Sequence, residues 1–395
     1  MPTPADEPAP LPGMDPADEG PPRGDASVTI AVVLPRSGPP YLEQYADLVL
    51  QGVRLAATRY RSGVVDLVVL DDSGLPERDS ALVAEAERRG AIAIIGPMLS
   101  PGIAAAAAGR EGEATVLVSP TASELPMHAP NMYTLNSVDL GGPRALAEYA
   151  LRAGLRTAAI MYPAQEELSR QAWAFRQAFE DGAGFVTTMV PYDAGTTTFA
   201  AHIGRMLETA PDVVYLPLSP QDVQLVAPQL EYYGFDGSAV LLMGNEAWTD
   251  EQVLREVSTR FTDGVIASTP SPRLPGETSW DEFVSMYEET YRRSLDNPFP
   301  ALGYDAMRLV LNAADAGANT PSRMAEGLAA TSAYHGATGI ISVEGGEITR
   351  APFLYRILDG ALTPPPAPEL LRPALPDGLA PLGDDAPPAT PLGTD

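Results

Sequence analysis

The sequence predicts an α/β fold built from two doubly wound parallel sheets, and three observations carry that prediction. Short runs recur that are apolar throughout, as in parallel strands covered on both faces, rather than alternating as in half-exposed strands. Between them lie stretches with apolar residues at helical spacing. The alternation occurs in two successive series, and strand–helix alternation of this length winds helices onto both faces of a sheet.

Strands of the first series are expected at 28–34, 65–70, 91–95 and 115–119. Those of the second are expected at 157–162, 185–190, 213–216 and 239–243. Helices are expected at 45–60, where Leu48, Gly52, Leu55 and Ala56 share one face, and at 77–89, 142–153, 166–181, 199–208 and 221–233. A strand at 264–268 precedes two longer helices, 279–293 and 301–316, and strands at 339–343 and 353–358 close the body. No repeat of solenoid period is seen.

The 395 residues are 45% hydrophobic, enough for two cores of ordinary domain size. Fifty-two acidic residues against 25 basic ones give a net charge of -27. That excess excludes nucleic acid, whose phosphates need concentrated positive charge, and docking on anionic lipid. Every basic residue is Arg, which reads as codon usage. With no Cys, disulfides, thiolate metal sites and Cys nucleophiles are ruled out. No stretch approaches the roughly 20 apolar residues of a membrane helix. No secretory signal is seen, so an exported protein is expected to have lost one.

The ends differ from the body. Residues 1–27 hold eight Pro and six acids, and residues 361–395 hold ten Pro, so the two carry 18 of the 41 Pro. Both are expected to be disordered tails. The acidic leader suits either a spacer from a membrane anchor or a simple tail.

Enzyme motifs are missing: there is no GxSxG elbow, GxGxxG fingerprint, Walker loop or HExxH. No catalytic residue, metal site or cofactor is therefore expected. His128, His202 and His335 are scattered and read as surface or structural residues. Asp71 and Asp72 follow a strand, where acids more often organise a turn than hold a metal. Two strand ends stand out, Ile95-Gly96-Pro97-Met98-Leu99-Ser100-Pro101 and Ser119-Pro120-Thr121-Ala122-Ser123-Glu124. Ser100 and Pro101 make a good helix start, at the N-cap and first helical position. Both hydroxyl-rich turns lie where open α/β sheets bind ligands, and such groups accept an anion such as a carboxylate. Capping alone and anion binding fit Ser100 and Ser123 about equally.

Over 28–360 the sequence resembles the type I periplasmic binding proteins, in particular the branched-chain amino-acid (leucine–isoleucine–valine) binding group of ABC importers. The matching residues run in order from Ile30-Ala31-Val32-Val33 and Ser37-Gly38-Pro39 through Gln44-Tyr45, Leu70-Asp71-Asp72 and the two strand ends above. They continue with Met243-Gly244-Asn245-Glu246, Phe299 with Tyr304-Asp305-Ala306, and Gly336-Ala337-Thr338-Gly339. The resemblance implies two α/β lobes joined by a three-crossover hinge, one of 28–140 plus 269–334 and one of 141–268 plus 335–360. It implies that Ser100, Thr121 and Ser123 hold a ligand carboxylate, that Glu246 takes the ammonium, and that Tyr45 and Phe299 line the pocket. Glu167 and Ser219 stand where the family has aromatic residues, which makes the second lobe's wall more polar, and Tyr162 and Trp248 are the nearby candidates to compensate. A polar or basic amino acid, an amide or a short peptide then fits as well as leucine.

The function implied is a solute-binding protein of an ABC importer, not an enzyme, that closes by its hinge on an amino acid or amide and presents it to a permease. It would act in the periplasm or at the outer membrane-anchored surface, with any lipid anchor removed from this chain. The alternative is a periplasmic lipoprotein of the same fold that activates a cell-wall synthase or serves as a sensor domain.

Overall fold

Residues 26–110, 115–126, 130–271, 273–274 and 279–371 are described in a computed structural model of the chain. The first apolar run shows why such runs become central strands. In β1 (Ala26–Leu34), Ile30, Val32 and Leu34 enter one core cluster while Ala31 and Val33 enter another, so both faces are buried. Next come α1 (Pro40–Thr58), β2 (Gly63–Asp71), α2 (Pro76–Arg88), β3 (Ala93–Ile95), α3 (Ser100–Gly109), β4 (Val116–Ser119) and β5 (Met132–Thr134). Their five strands pair in parallel in the order β2-β1-β3-β4-β5. Strand order reverses between β1 and β3, and ligands of open α/β sheets bind at the carboxyl ends beside such a reversal.

The chain then builds a second unit from α4 (Gly141–Arg152), β6 (Thr157–Pro163), α5 (Glu166–Asp181), β7 (Phe185–Tyr192), α6 (Ala200–Leu207), β8 (Val213–Leu216), α7 (Pro220–Tyr232) and β9 (Leu241–Gly244). A 3-10 turn (Glu246–Thr249), α8 (Glu251–Glu256) and β10 (Ile266–Thr269) complete this passage. Here too alternate residues part to opposite faces: Ala159 and Met161 to one core, Ala158 and Ile160 to the other. The chain returns to the first unit with α9 (Ser279–Tyr291), α10 (Phe299–Asp315), α11 (Pro321–Ala329), β11 (Tyr334–Gly336), β12 (Gly339–Glu344) and the first half of β13 (Glu347–Arg350). It ends in the second unit with β14 (Phe353–Leu358), β15 (Ala361–Thr363) and a 3-10 turn (Pro368–Leu371). The second sheet has the order β15-β14-β10-β9-β8-β6-β7. It is parallel from β10 to β7, while β14 and β15 run antiparallel at its edge.

The two compact units are Met1–Ser137 with Ser279–Ile348, and Val138–Thr278 with Thr349–Asp395, so the chain passes between them three times. Their bounds differ from those expected of the lobes. Residues 335–348, placed with the second lobe by resemblance, belong to the first unit. There the Asp305 carboxylate of α10 accepts the Ala337 N–H, the Thr338 N–H and the Thr338 hydroxyl, each at 2.7 Å. Ile341 and Ile348 join the core under α10. Residues 138–140 and 269–278 stand with the second unit. Asp139 Oδ1 caps the start of α4, and the Arg273 N–H donates to the Tyr355 hydroxyl of β14. The fold also runs past residue 360, the end expected of it, because β15 pairs with β14. Residues 26 and 27, expected to belong to the leader, open β1; the rest of the expected leader and the rest of the expected tail lie outside the described residues, as does His128.

Candidate functional site

In the first unit the candidate residues sit on the carboxyl ends of β3 and β4 and on two helices. The chain leaves β3 through Gly96, whose φ of +102° and contact with the Val33 carbonyl leave no room for a Cβ. Two hydroxyls, those of Ser119 and Thr121, then tie the two strand ends together. Ser119 donates to the Pro97 carbonyl at 2.6 Å, Thr121 donates to the Met98 carbonyl at 2.8 Å, and Ser119 Oγ accepts the Ala122 N–H at 3.0 Å. Ser100 and Ser123 approach to 3.4 Å between hydroxyl oxygens, and Ser100 Oγ accepts the Glu124 N–H at 3.1 Å.

This corrects the helix-start reading of Ser100. Leu99, not Ser100, is the N-cap, and no side chain caps α3. Ser100 spends its acceptor on the neighbouring turn instead, and Ser123 stands in a segment with no helix. Neither serine is explained by capping. Thr121, by contrast, has its hydroxyl proton committed to Met98, so that proton is not offered to an anion. Tyr45 and Phe299 are brought together: their rings stack at 4.6 Å with 22° between planes, and Tyr45 is 38% exposed.

Asp71 and Asp72 organise turns, as read from the sequence. Asp71 accepts the Arg36 and Ser73 N–H groups at 2.8 Å and the Ser37 hydroxyl at 2.6 Å, while Asp72 accepts the Gly74 N–H at 2.7 Å. Burial works against the Asp71 charge, but these donors outweigh it and hold its carboxyl below the usual range. His202 packs against Tyr192 and Phe199, and His335 is exposed on β11.

In the second unit, Glu246 opens the 3-10 turn after β9. Its Oε2 is buried without a hydrogen-bond partner. Burial pushes the carboxyl up to about 7; the nearby acids Asp139 and Glu167 add to this, while its own N–H and Arg273 oppose it. Asp139 Oδ2, Gln171 Nε2, Tyr215 Oη and Ser268 Oγ of this unit are also buried and unpartnered, as is Nδ1 of His202. The Tyr215, Ser268 and Gln171 side chains are fully buried.

Strand register puts Tyr215 and Ser268 on one face. Tyr215 of β8, Met243 of β9 and Ile266 of β10 pair in one row and share a core cluster, and Ser268, two residues past Ile266, points to that same face. There the Tyr215 ring stacks on Phe175 of α5 at 4.5 Å. Gln171 lies one turn earlier on α5 and accepts from the Asn245 side chain at 3.1 Å. At the start of α4, Asp139 Oδ2 and Ser268 Oγ both crowd the place where a Cβ on Gly142 would stand.

The sequence reading missed Asp139, Tyr215, Ser268 and Gln171. Asp139 before Gly141-Gly142-Pro143 looks like a helix cap, which its Oδ1 is, accepting the Gly142 N–H at 3.0 Å. Tyr215 and Ser268 look like members of apolar strands. Neither of the residues named to compensate for Glu167 and Ser219 is exposed. Trp248 is wholly buried and donates to the Leu216 carbonyl at 3.0 Å, and Tyr162 is buried in the core. Glu167 is exposed in the first turn of α5, and Ser219 caps α7.

Among the described residues no helix is long and apolar enough to cross a membrane. The sequence profile of the periplasmic binding protein family matches residues 27–361. No curated protein matches the sequence. Among solved structures the chain is similar to a putative branched-chain amino acid ABC transporter protein from Rhodospirillum rubrum, with 23% identity, a TM-score of 0.76, and coverage of 86% of this chain and 100% of the other. It is also similar to the substrate-binding protein LivJ from Streptococcus pneumoniae in complex with isoleucine, at 18% identity and a TM-score of 0.55 over 85% and 98%. A third is a solute-binding protein of an ABC transporter from R. palustris in complex with benzoate, at 18% and 0.55 over 86% and 95%. At such identities these structures speak for the fold.

Proposed function

The chain belongs to the periplasmic binding protein family, and from that premise we propose that it is the solute-binding component of an ABC importer whose ligand is a free amino acid. The family is one of solute-binding proteins rather than enzymes. Similar proteins are seen with isoleucine and with benzoate, so a carboxylate is common to the ligands in view. The observation that carries the amino-acid reading is the buried, unpartnered Oε2 of Glu246. A buried carboxylate oxygen with no donor is costly, and a ligand ammonium would satisfy it. Ser100 and Ser123 suit the ligand carboxylate, with hydroxyls not used for capping. The stacked Tyr45 and Phe299 offer apolar surface to a side chain. The permease and an extracytoplasmic location belong to the same proposal.

A thermal-shift panel of the common amino acids, small amides and aromatic acids, each at millimolar concentration, tests it. A ligand at one hundred times its dissociation constant adds about 2.7 kcal/mol, which raises the melting midpoint by several degrees. An amino acid should be the hit, and Glu246→Ala should abolish it. A hit confined to benzoate-like acids, unaffected by Glu246→Ala, would remove the ammonium from the reading.

A further inference from the structure

A cavity of about 150 Å³ opens at the amino-terminal ends of β9 and β10, at the other end of β9 from Glu246. Its lining joins Leu230, Leu242 and Val265 of the buried core to the partly buried Phe235, Val240 and Phe261. An apolar recess left open to water forfeits contacts that an apolar side chain would restore. Free ligands usually take sites of about 300–1,000 Å³, whereas about 150 Å³ suits one benzene-sized group. Apolar surface also continues outside the cavity along α7. There Tyr232 is 81% exposed and Leu225, two turns earlier on the same stripe, is 39% exposed. Size and surroundings fit a protein partner anchored by one side chain, rather than a free small molecule.

Charge decides what flanks that side chain. Arg260 lies 3.5 Å from Glu231 Oε2 and over the Phe261 ring at 4.3 Å, so its charge is taken up within the lining. Asp263 also lines the cavity, and Asp236 stands between the lining residues Phe235 and Gly237. The Asp359 N–H donates to Asp263 Oδ1 at 2.8 Å. All three aspartates are exposed, and the Ser238 hydroxyl and N–H hold the Asp236 carboxyl below its usual range. The rim is therefore negative and repels acidic occupants. This chain's own ends are acidic: residues 1–25 hold six acids and one Arg, and residues 372–395 hold four Asp and one Arg. A second copy brings a charge of -27. None of these complements the rim. We propose that this end of the second unit docks a basic segment of another protein, with one phenylalanine or leucine side chain in the cavity and flanking arginine or lysine side chains on Asp236, Asp263 and Asp359. The inference stands apart from the amino-acid reading of the ligand site.

Methyl NMR of the full chain, titrated with the peptide acetyl-RRFRR-amide at low salt, tests it. The methyl signals of Leu230, Val240, Leu242 and Val265 should shift. The peptide with glycine in place of phenylalanine should bind at least about tenfold more weakly. Acetyl-EEFEE-amide should leave those signals in place. Raising sodium chloride from about 0.01 M to about 0.15 M should weaken RRFRR binding several-fold. Asp236→Asn combined with Asp263→Asn should remove most of that dependence, and each keeps a side-chain oxygen for the N–H it accepts. A Cβ on Gly237 would meet only the Phe235 ring, at 3.7 Å, so Gly237→Trp should melt at the native midpoint while its ring competes for the cavity and weakens RRFRR binding. Equal binding of the phenylalanine and glycine peptides, or of the acidic peptide, overturns the proposal. So does movement of the same methyls by a peptide of residues 372–395, by phenethylamine with equal affinity, or on concentrating the chain alone. Those results give the cavity to the chain's own end, a small amine or a second copy. Unmoved methyls at millimolar RRFRR overturn it as well.

Discussion

Asp79 of α2 is the residue where burial and charge most directly oppose stability. It is 2% exposed, its Oδ1 has no hydrogen-bond partner, and its Oδ2 lies against Gly102 of α3. Burial pushes its carboxyl up to about 7, Asp72 and Glu77 add to the rise, and Arg78 opposes it. In the unfolded chain the group gives up its proton near pH 4. Between about pH 4 and 7 the unfolded state therefore binds fewer protons than the native one, and stability falls as pH rises across that window. Above it the cost is fully present, on the order of 2–4 kcal/mol at about 1.4 kcal/mol per pKa unit. Asp79→Asn should raise the unfolding free energy by that order at pH 8 and by little at pH 3.5. Denaturant melts at the two pH values check this, and an equal effect at both would refute it. The same scale shows what sequence could convey about the site. Glu246 and the serines could be named by family likeness, because their order along the chain is preserved. Asp139 could not, because before Gly141-Gly142-Pro143 it reads only as a helix cap.

At the scale of elements, α1 and α10 meet backbone to backbone. A Cβ on Gly52 would overlap the Pro300 carbonyl, and one on Gly303 would overlap the Val49 carbonyl. Rigid backbone, unlike the end of a flexible side chain, cannot step aside. Gly303→Ala should therefore destabilise by about 1–3 kcal/mol despite alanine's better helix propensity. Gly204 of α6, with nothing near its Cβ position, is the control, and its alanine variant should be neutral or stabilising. Equal melting midpoints for the two variants would show that the helices can slide apart freely. The elements themselves were largely legible. Runs such as 157–162 and 213–216 are apolar throughout, and tertiary burial on two faces demands that. Those missed were short or polar: Met132–Thr134, Glu347–Arg350 and Ala361–Thr363 are fixed by pairing with neighbours rather than by their own composition. Helix α11 begins with Thr320 accepting the Arg323 N–H and Pro321 at its first turn, a start signal that the sequence reading passed over.

For the whole molecule the governing quantity is net charge. Fifty-two acids against 25 arginines leave a charge of -27, most of it within the described residues. The ion pairs among those residues, such as Arg176–Glu180 and Arg260–Glu231, are partly exposed and contribute little each. Self-repulsion of the excess acids therefore opposes the compact state. It acts over the screening length, which falls from about 30 Å at 0.01 M salt to about 3 Å at 1 M. Sodium chloride across that range should raise the melting midpoint by several degrees at pH 7.5. The salt must be chloride, because sulfate also strengthens apolar burial. Near pH 4, where about half the acids are protonated, the same salt should do much less. Differential scanning calorimetry at the four combinations separates the two causes. A rise at pH 7.5 that shrinks near pH 4 identifies repulsion between acids as what salt relieves. A rise of the same size at both pH values would place the effect in apolar burial instead, and a fall at pH 7.5 would mean that ion pairs outweigh the repulsion.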